Sequence, residues 1–309
     1  MVRTFHTTGS VNVKRIVGFV LAALITAFAP PALAADMPPL GQKKIIYTHG
    51  PWGSGLVTTN VVQMMLKRLG YDVELKLVDV GLAYQALASG KAEIFSSAYL
   101  PGQQQYLNAQ AGKIEIFSVS YAPVPGGLMV PAYVPANTIE DLKKPEIQKL
   151  FVGKITGIDA GSGVMAQARS VIEKYGLDFE LVPSSDAAMA AAFKAAYDKK
   201  EPIVVTSYCP HYLCSLYDVK FLEDSKGIYP WSQDYHLVRT GFRTDFPRAA
   251  VYLTRSTLTA DSVSKMLKWM ETEKLKPEQA AKRFVSQNPE LVWYWIGDLV
   301  EGIQKPGNL

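Results

Sequence analysis

From Lys44 onward, short apolar runs rich in β-forming residues alternate with longer stretches whose apolar positions recur at helical spacing. Lys44 to Tyr47 (KIIY) predicts a strand, His49-Gly50-Pro51-Trp52-Gly53-Ser54-Gly55 a turn, and Leu56 to Leu69 a helix that Gly70 stops. Tyr71 to Leu75 opens the next strand. A helix over Leu82 to Ala88, a turn at Gly90-Lys91 and a strand from Glu93 to Ala98 follow, ending in Tyr99-Leu100-Pro101. Alternation of this kind predicts an α/β protein with largely parallel sheets.

The pattern then repeats. Lys154 to Ile158 reads as a strand, Asp159-Ala160-Gly161-Ser162-Gly163 as a turn, and Val164 to Tyr175 as a helix stopped by Gly176. GLDFEL (Gly176 to Leu181) matches GYDVEL (Gly70 to Leu75) in register. A helix from Asp186 to Tyr197 and a strand from Pro202 to Ser207 end in Tyr208-Cys209-Pro210, as the first copy ends in Tyr-x-Pro. Two copies are too few for a solenoid, so the repeat predicts two similar lobes. The expected boundaries are 35–130 with 235–309 for lobe 1 and 131–234 for lobe 2.

Composition and charge narrow the class. With 48% hydrophobic and 19% charged residues the chain is neither disordered nor collagenous. Residues 1–34 read as a secretory signal peptide: Arg3, Lys14 and Arg15, an apolar stretch from Ile16 to Ala29, and an A-x-A site at Ala32-Leu33-Ala34. That segment carries three of the +4 net charges and no acid, so the remainder is near neutral. Near neutrality removes the compositional case for nucleic acid or an anionic membrane. The product is expected to be exported to the periplasm as a freely soluble monomer.

Ligands of open parallel sheets sit beyond the carboxyl ends of the strands, and clefts between lobes are favoured sites. Trp52, both Gly-Ser-Gly turns, Tyr99 and Tyr208 fall at such ends. Gly53 and Ser54, like Gly161 and Ser162, open helices whose first-turn N–H groups suit a carboxylate, although such turns also occur as plain helix starts. Trp52, Tyr99, Tyr121 and Tyr208 offer ring faces that attract quaternary ammonium groups, worth about 0.5–2 kcal/mol per contact; each can equally be packing. Trp231 is placed to close such a box and His236 to hydrogen-bond an anion, the alternative for His236 being an interior histidine.

These residues carry a resemblance. GIDAGSGVM (Gly157 to Met165), SAYLPG (Ser97 to Gly102) and PIVVTSYCPHYL (Pro202 to Leu213) resemble the glycine betaine/choline-type substrate-binding proteins of ABC importers. The resemblance implies a two-lobed periplasmic binding protein fold (type II) with the ligand cleft between lobes, and an ABC permease and its ATPase on other chains as partners. It also implies that Trp52, Tyr99 and Tyr208 box a trimethylammonium group while N–H groups at Gly53-Ser54 take a carboxylate. Several relatives carry Trp where this chain has Tyr99 and Tyr208, a change that can retune ligand choice. Choline-preferring relatives carry an acid just after the Trp52 position, where Ser54 stands here, which argues against choline.

Cys209 and Cys214 are the only cysteines. In an exported chain they are expected either to close the turn behind Tyr208 as a disulfide or to remain free and buried. There is no P-loop, no HExxH and no GxSxG, and His49, His211 and His236 are scattered. No cofactor or metal is expected. The readings left open are an exported enzyme on a small metabolite, with His211 or His236 as base, and a receptor for a non-methylated amino acid.

Overall fold

The first predicted unit folds as β1 (Lys44–His49), α1 (Gly53–Arg68), β2 (Asp72–Leu77), α2 (Val80–Ala88) and β3 (Ile94–Leu100) in a computed structural model that describes residues 37–303, 305 and 306. The signal peptide expected over 1–34 lies outside the described residues. In α1, Val57, Val61, Val62, Met65 and Leu66 form one buried stripe. Lys67 and Arg68 sit in its last turn, where cations complement the helix dipole, and Gly70 follows at φ +101°, a conformation glycine adopts without steric cost. β1 pairs in parallel with β2 on one side and β3 on the other.

After α3 (Gln104–Asn108) and β4 (Ile114–Val124), the chain passes through β5 (Gly126–Pro131) and α4 (Pro145–Leu150) into the second unit. That unit is β6 (Lys154–Thr156), α5 (Gly163–Tyr175), β7 (Glu180–Val182), α6 (Asp186–Asp198) and β8 (Val205–Tyr208). Gly176 caps α5 in the left-handed region, as the sequence pattern predicts. The remainder is α7 (Tyr212–Leu216), β9 (Val219–Phe221), β10 (Ser232–Arg239), α8 (Phe242–Asp245), α9 (Pro247–Arg255), β11 (Leu258–Thr259), α10 (Ala260–Thr272), α11 (Pro277–Gln287) and α12 (Pro289–Ile296).

The strands form two sheets, ordered β11-β4-β10-β3-β1-β2 and β7-β6-β8-β5-β9. The repeat survives at the level of topology. In each sheet the first strand of the unit lies between its second and third, all parallel, and the third pairs antiparallel with a strand just past a chain crossing: β10 on β3, β5 on β8.

That sharing moves the lobe boundaries. Residues 126–130, expected in lobe 1, lie in β5, which pairs with β8 and β9 and so belongs to the second sheet. The return crossing lies between Phe221 and Ser232, because β10 already pairs with β3 and β4 from Gln233 and Ser232 onward. The expected crossings near Val130 and Asp234 are corrected accordingly. A hydrophobic run cannot say which sheet will bury it.

The interior of the first lobe continues into the second through Met129, Ile158, Met165 and Val205, while the second lobe also has a separate interior of its own. Leu128, Val130, Ile155, Ala168 and Val171 centre the second lobe, and Ile45, Val61, Met65, Ile94 and Leu237 the first. α10 and α11 pack on α1, so the C-terminal helices complete the first lobe. Trp269 and Trp295 are buried there, consistent with packing roles. Among the described residues no helix is long and apolar enough to cross a membrane.

Candidate functional site

The ends of β1, β3 and β8 bring three aromatic side chains together. Trp52 is the last extended residue before α1 and is buried. Its ring centroid lies 5.4 Å from that of Tyr99, the penultimate residue of β3, and Tyr99 lies 5.9 Å from Tyr208, which closes β8. The three rings line one small cavity between the lobes, with Gly102, Val124 and Ser232 on the first sheet's side and Ile158, Ser162 and Gln167 on the second's. The volume open to the centre of a water-sized sphere is ≈ 40 Å³. That suits a compact group rather than a long chain.

The phenol oxygens are tied down by hydrogen bonds. Tyr121 donates to the Tyr99 hydroxyl at 3.0 Å, and the Ser54 and Tyr99 hydroxyls lie 3.0 Å apart. The Tyr208 hydroxyl donates to Asp186 Oδ1 at 3.4 Å. His211 Nδ1 accepts from the N–H of Leu213, which leaves Nε2 to donate toward Asp186 Oδ2 at 3.5 Å. Burial pushes the hydroxyls of Tyr99, Tyr121 and Tyr208 above the usual tyrosine range, so each stays a neutral phenol at physiological pH.

The two Gly-Ser-Gly turns differ. At α5, Ser162, Gly163 and Val164 all line the cavity. Ser162 occupies the N-cap position but makes no side-chain cap, and its buried hydroxyl has no hydrogen-bond partner among the described residues. Gly163 is needed for closeness, since a Cβ there would stand 2.8 Å from the backbone carbon and oxygen of Gly102 in the opposite lobe. At α1 the equivalent positions are occupied from within the lobe. Ser54 is engaged by Tyr99, and a Cβ on Gly53 would meet Leu267 at 3.0 Å. Neither Gly53 nor Ser54 lines the cavity.

Direct ties hold the lobes closed over this space. Trp52 Nε1 donates to Asp159 Oδ2 at 3.1 Å, and the Tyr106 hydroxyl donates to the carbonyl of Gly161 at 2.8 Å. Cys209 and Cys214 are bonded, with Cα atoms 6.3 Å apart, directly behind Tyr208.

Of the other sequence candidates, Tyr121 is fully buried behind Tyr99 and touches the site only through it. Gly161 contributes its carbonyl to the inter-lobe tie rather than a surface to the cavity. Trp231 stands 74% exposed while its neighbours Pro230 and Ser232 line the cavity; successive side chains of an extended segment point to opposite faces. His236 lies deeper in β10, wholly buried between the hydroxyls of Ser96 and Ser256. Burial lowers its pKa to about 3, so it is a neutral interior imidazole, and it does not line this cavity. Sequence reasoning missed Asp159, Asp186, Tyr106 and Gln167. Asp159 was readable as part of the second turn, but its acceptor role depends on a tryptophan 107 residues away. Among the described residues no group of His, Cys, Asp and Glu could hold a metal ion.

Comparison with known proteins fits this architecture. The family model described as the substrate binding domain of ABC-type glycine betaine transport system (OpuAC) matches residues 43–287. A glycine betaine/carnitine transport binding protein, GbuC, of Listeria monocytogenes is 37% identical over 155 residues, 49% of this chain and 50% of that protein. The match thus spans about half the length of that curated relative. The glycine/betaine/L-proline-binding protein ProX of Borrelia burgdorferi superposes with a TM-score of 0.78 at 31% identity, covering 82% of this chain and 96% of that one. Lactococcal OpuAC, closed and complexed with glycine betaine, superposes with a TM-score of 0.77 at 29% identity, covering 82% and 99%.

Proposed function

The chain belongs to the family of substrate-binding domains of ABC-type glycine betaine transport systems, a family of type II periplasmic binding proteins rather than enzymes, and from that premise we propose that it captures a betaine-like quaternary amine for import. The faces of Trp52, Tyr99 and Tyr208 receive the methylated ammonium, and the first-turn N–H groups of α5, with the Ser162 hydroxyl, receive the carboxylate. The observation that supports this reading is one cavity lined both by Trp52, Tyr99 and Tyr208 and by Ser162, Gly163 and Val164 at the start of α5.

A quaternary nitrogen donates no strong hydrogen bond, so ring quadrupoles recognise it where hydroxyl and carbonyl acceptors cannot. The positive end of the α5 dipole and its unsatisfied N–H groups favour the anionic end. The α5 start is preferred over Gly53-Ser54 because it alone of the two turns faces the cavity. The ligand then touches both lobes at once, so it stabilises the closed state over the open one by the contacts it makes only there. The lobe faces around the cleft are offered to a permease driven by an ATPase, both on other chains. Export to the periplasm suits the Cys209–Cys214 bond, which persists in oxidising compartments.

A thermal-shift panel tests the reading. Glycine betaine, proline betaine, carnitine, choline and trimethylamine oxide are compared with glycine and proline. A ligand in excess stabilises by RT ln(1 + [L]/Kd). Glycine betaine should raise the midpoint and glycine should not; shifts confined to the non-methylated compounds would remove the aromatic box.

A further inference from the structure

Directly beneath Tyr99 lies a charge-bearing group that the proposed recognition does not use. Asp234 is the cross-strand partner of Tyr99 in the β10–β3 ladder and is fully buried. Neither of its carboxyl oxygens has a hydrogen-bond partner among the described residues. The Ser120 hydroxyl and the N–H groups of Ser97, Ala98 and Tyr235 surround it and favour its charged form, but none lies in good hydrogen-bond geometry to either oxygen.

The backbone around it is irregular on both strands. β10 shifts register against β4 on either side of Asp234, and Ser97 on β3 has φ +81° with an unpartnered hydroxyl. Bulges beside binding sites re-aim side chains, and a serine in the left-handed region is held there only by its surroundings. Two residues along β10, Ser232 lines the cavity itself. An unpaired buried carboxyl is costly, and its persistence needs a reason.

We infer that Asp234 is a buried counter-charge for the cationic head group in the cavity, a positioning residue that acts through the Tyr99 ring and ionises when the cation arrives. The inference rests on the quaternary-amine reading above. Burial raises the Asp234 pKa to about 8, outweighing the opposing pull of the Ser120 hydroxyl and the N–H groups of Ser97, Ala98 and Tyr235, so the empty receptor holds it mostly protonated at neutral pH. The titratable groups facing it are Tyr47 on β1, Tyr84 on α2, Tyr99 on β3 and Tyr121 on β4, all raised phenols that stay neutral. On its own strand, Tyr235 donates to Gln233, and His236 is the neutral imidazole between Ser96 and Ser256. A cation held against Tyr99 therefore becomes the nearest positive charge to Asp234 and favours its ionised form. The proton leaves to solvent as the ligand enters. By linkage, affinity for a cationic ligand rises with pH and levels off above about 8.

The test uses the full chain after removal of its leader, titrated with glycine betaine and with 3,3-dimethylbutanoate, the carbon isostere whose head group is uncharged. Calorimetry in buffers of different ionisation enthalpy counts protons released. Wild type should release a fraction of a proton per betaine near pH 7 and none with the isostere. Its betaine affinity should rise about tenfold from pH 6 to pH 9, one pKa unit of coupling being a factor of ten. Asp234→Asn should flatten that profile and narrow the preference for betaine over the isostere by about tenfold. Betaine binding without proton release and without pH dependence overturns the counter-charge while leaving the receptor reading intact. Failure of wild type to bind betaine at all overturns both. Because proton release is read on wild type, the outcome does not depend on how well the variant folds.

Discussion

The two lobes are built on the same β-α-β-α-β unit, with equivalent strand order, yet they bring different chemistry to the cleft. The first supplies Trp52 and Tyr99 and closes off the start of its own helix α1, where Ser54 binds Tyr99 and Leu267 crowds Gly53. The second supplies Tyr208 and leaves the start of α5 open, with Ser162 uncapped and Gly163 against the cavity. A duplicated frame thus offers two equivalent positions, of which one can be filled by packing while the other stays available for an anion. The acceptors Asp159 and Asp186 both belong to the second lobe and anchor one ring from each lobe, Trp52 and Tyr208.

The comparison breaks most sharply at two glycines. Gly163→Ala places a Cβ against the Gly102 backbone across the cleft, and overpacking of this kind costs about 1–3 kcal/mol. Ligand affinity should fall about tenfold or more while the melting temperature of the ligand-free protein changes little. Gly55→Ala pushes into the Ser97 side chain within the first lobe and should do the reverse, lowering the melting temperature more than the affinity. Calorimetry and thermal denaturation on both variants check the contrast.

Next come the rings. Trp52→Ala and Tyr208→Ala should each weaken binding by about 1 kcal/mol or more, the worth of a desolvated cation–π contact. Trp52→Phe keeps a ring face and removes the donor to Asp159, so only the inter-lobe hydrogen bond is lost, about 0.5–1.5 kcal/mol. Unchanged affinity in both alanine variants would dismiss the site.

The fold and the rings were legible because each is signalled locally. Gly70 and Gly176 mark the helix ends in the same register of both copies, and Tyr99 and Tyr208 precede matching Tyr-x-Pro turns. Trp231 misled because its position along the chain is right, between two residues that line the cavity, while its direction is set by extended-strand alternation. His236 looked like a ligand for its chemistry, but its depth in β10 is decided by pairing with β3 and β4. Asp159, Asp186 and Asp234 were not legible. Each gains its role from partners on other elements, and nothing in the neighbouring sequence separates them from solvated acids.

Smaller effects sharpen the account through pH. The raised pKa of Asp234, about 8, means the folded state holds a proton that the unfolded chain releases near the ordinary aspartate value. Its contribution to stability is therefore full at low pH and is lost as pH rises toward 8. His236 has the opposite sign. With its folded pKa lowered to about 3, stability falls as pH drops from about 6.5, where the unfolded histidine takes up a proton. Asp234→Asn should remove the fall in melting temperature between about pH 4 and pH 8 and leave in place the loss on acidification that His236 causes. Ser162→Ala should have the smallest effect, a few-fold loss of affinity for carboxylate-bearing ligands and none for choline.

The central claim is that methyl groups on nitrogen, rather than hydrogen bonds to it, are what the cavity recognises. Calorimetric titration of the wild-type chain with glycine, sarcosine, dimethylglycine and glycine betaine changes only the number of methyl groups. The account predicts that affinity rises along the series and is greatest for glycine betaine. Affinity that is flat or greatest for glycine would contradict it.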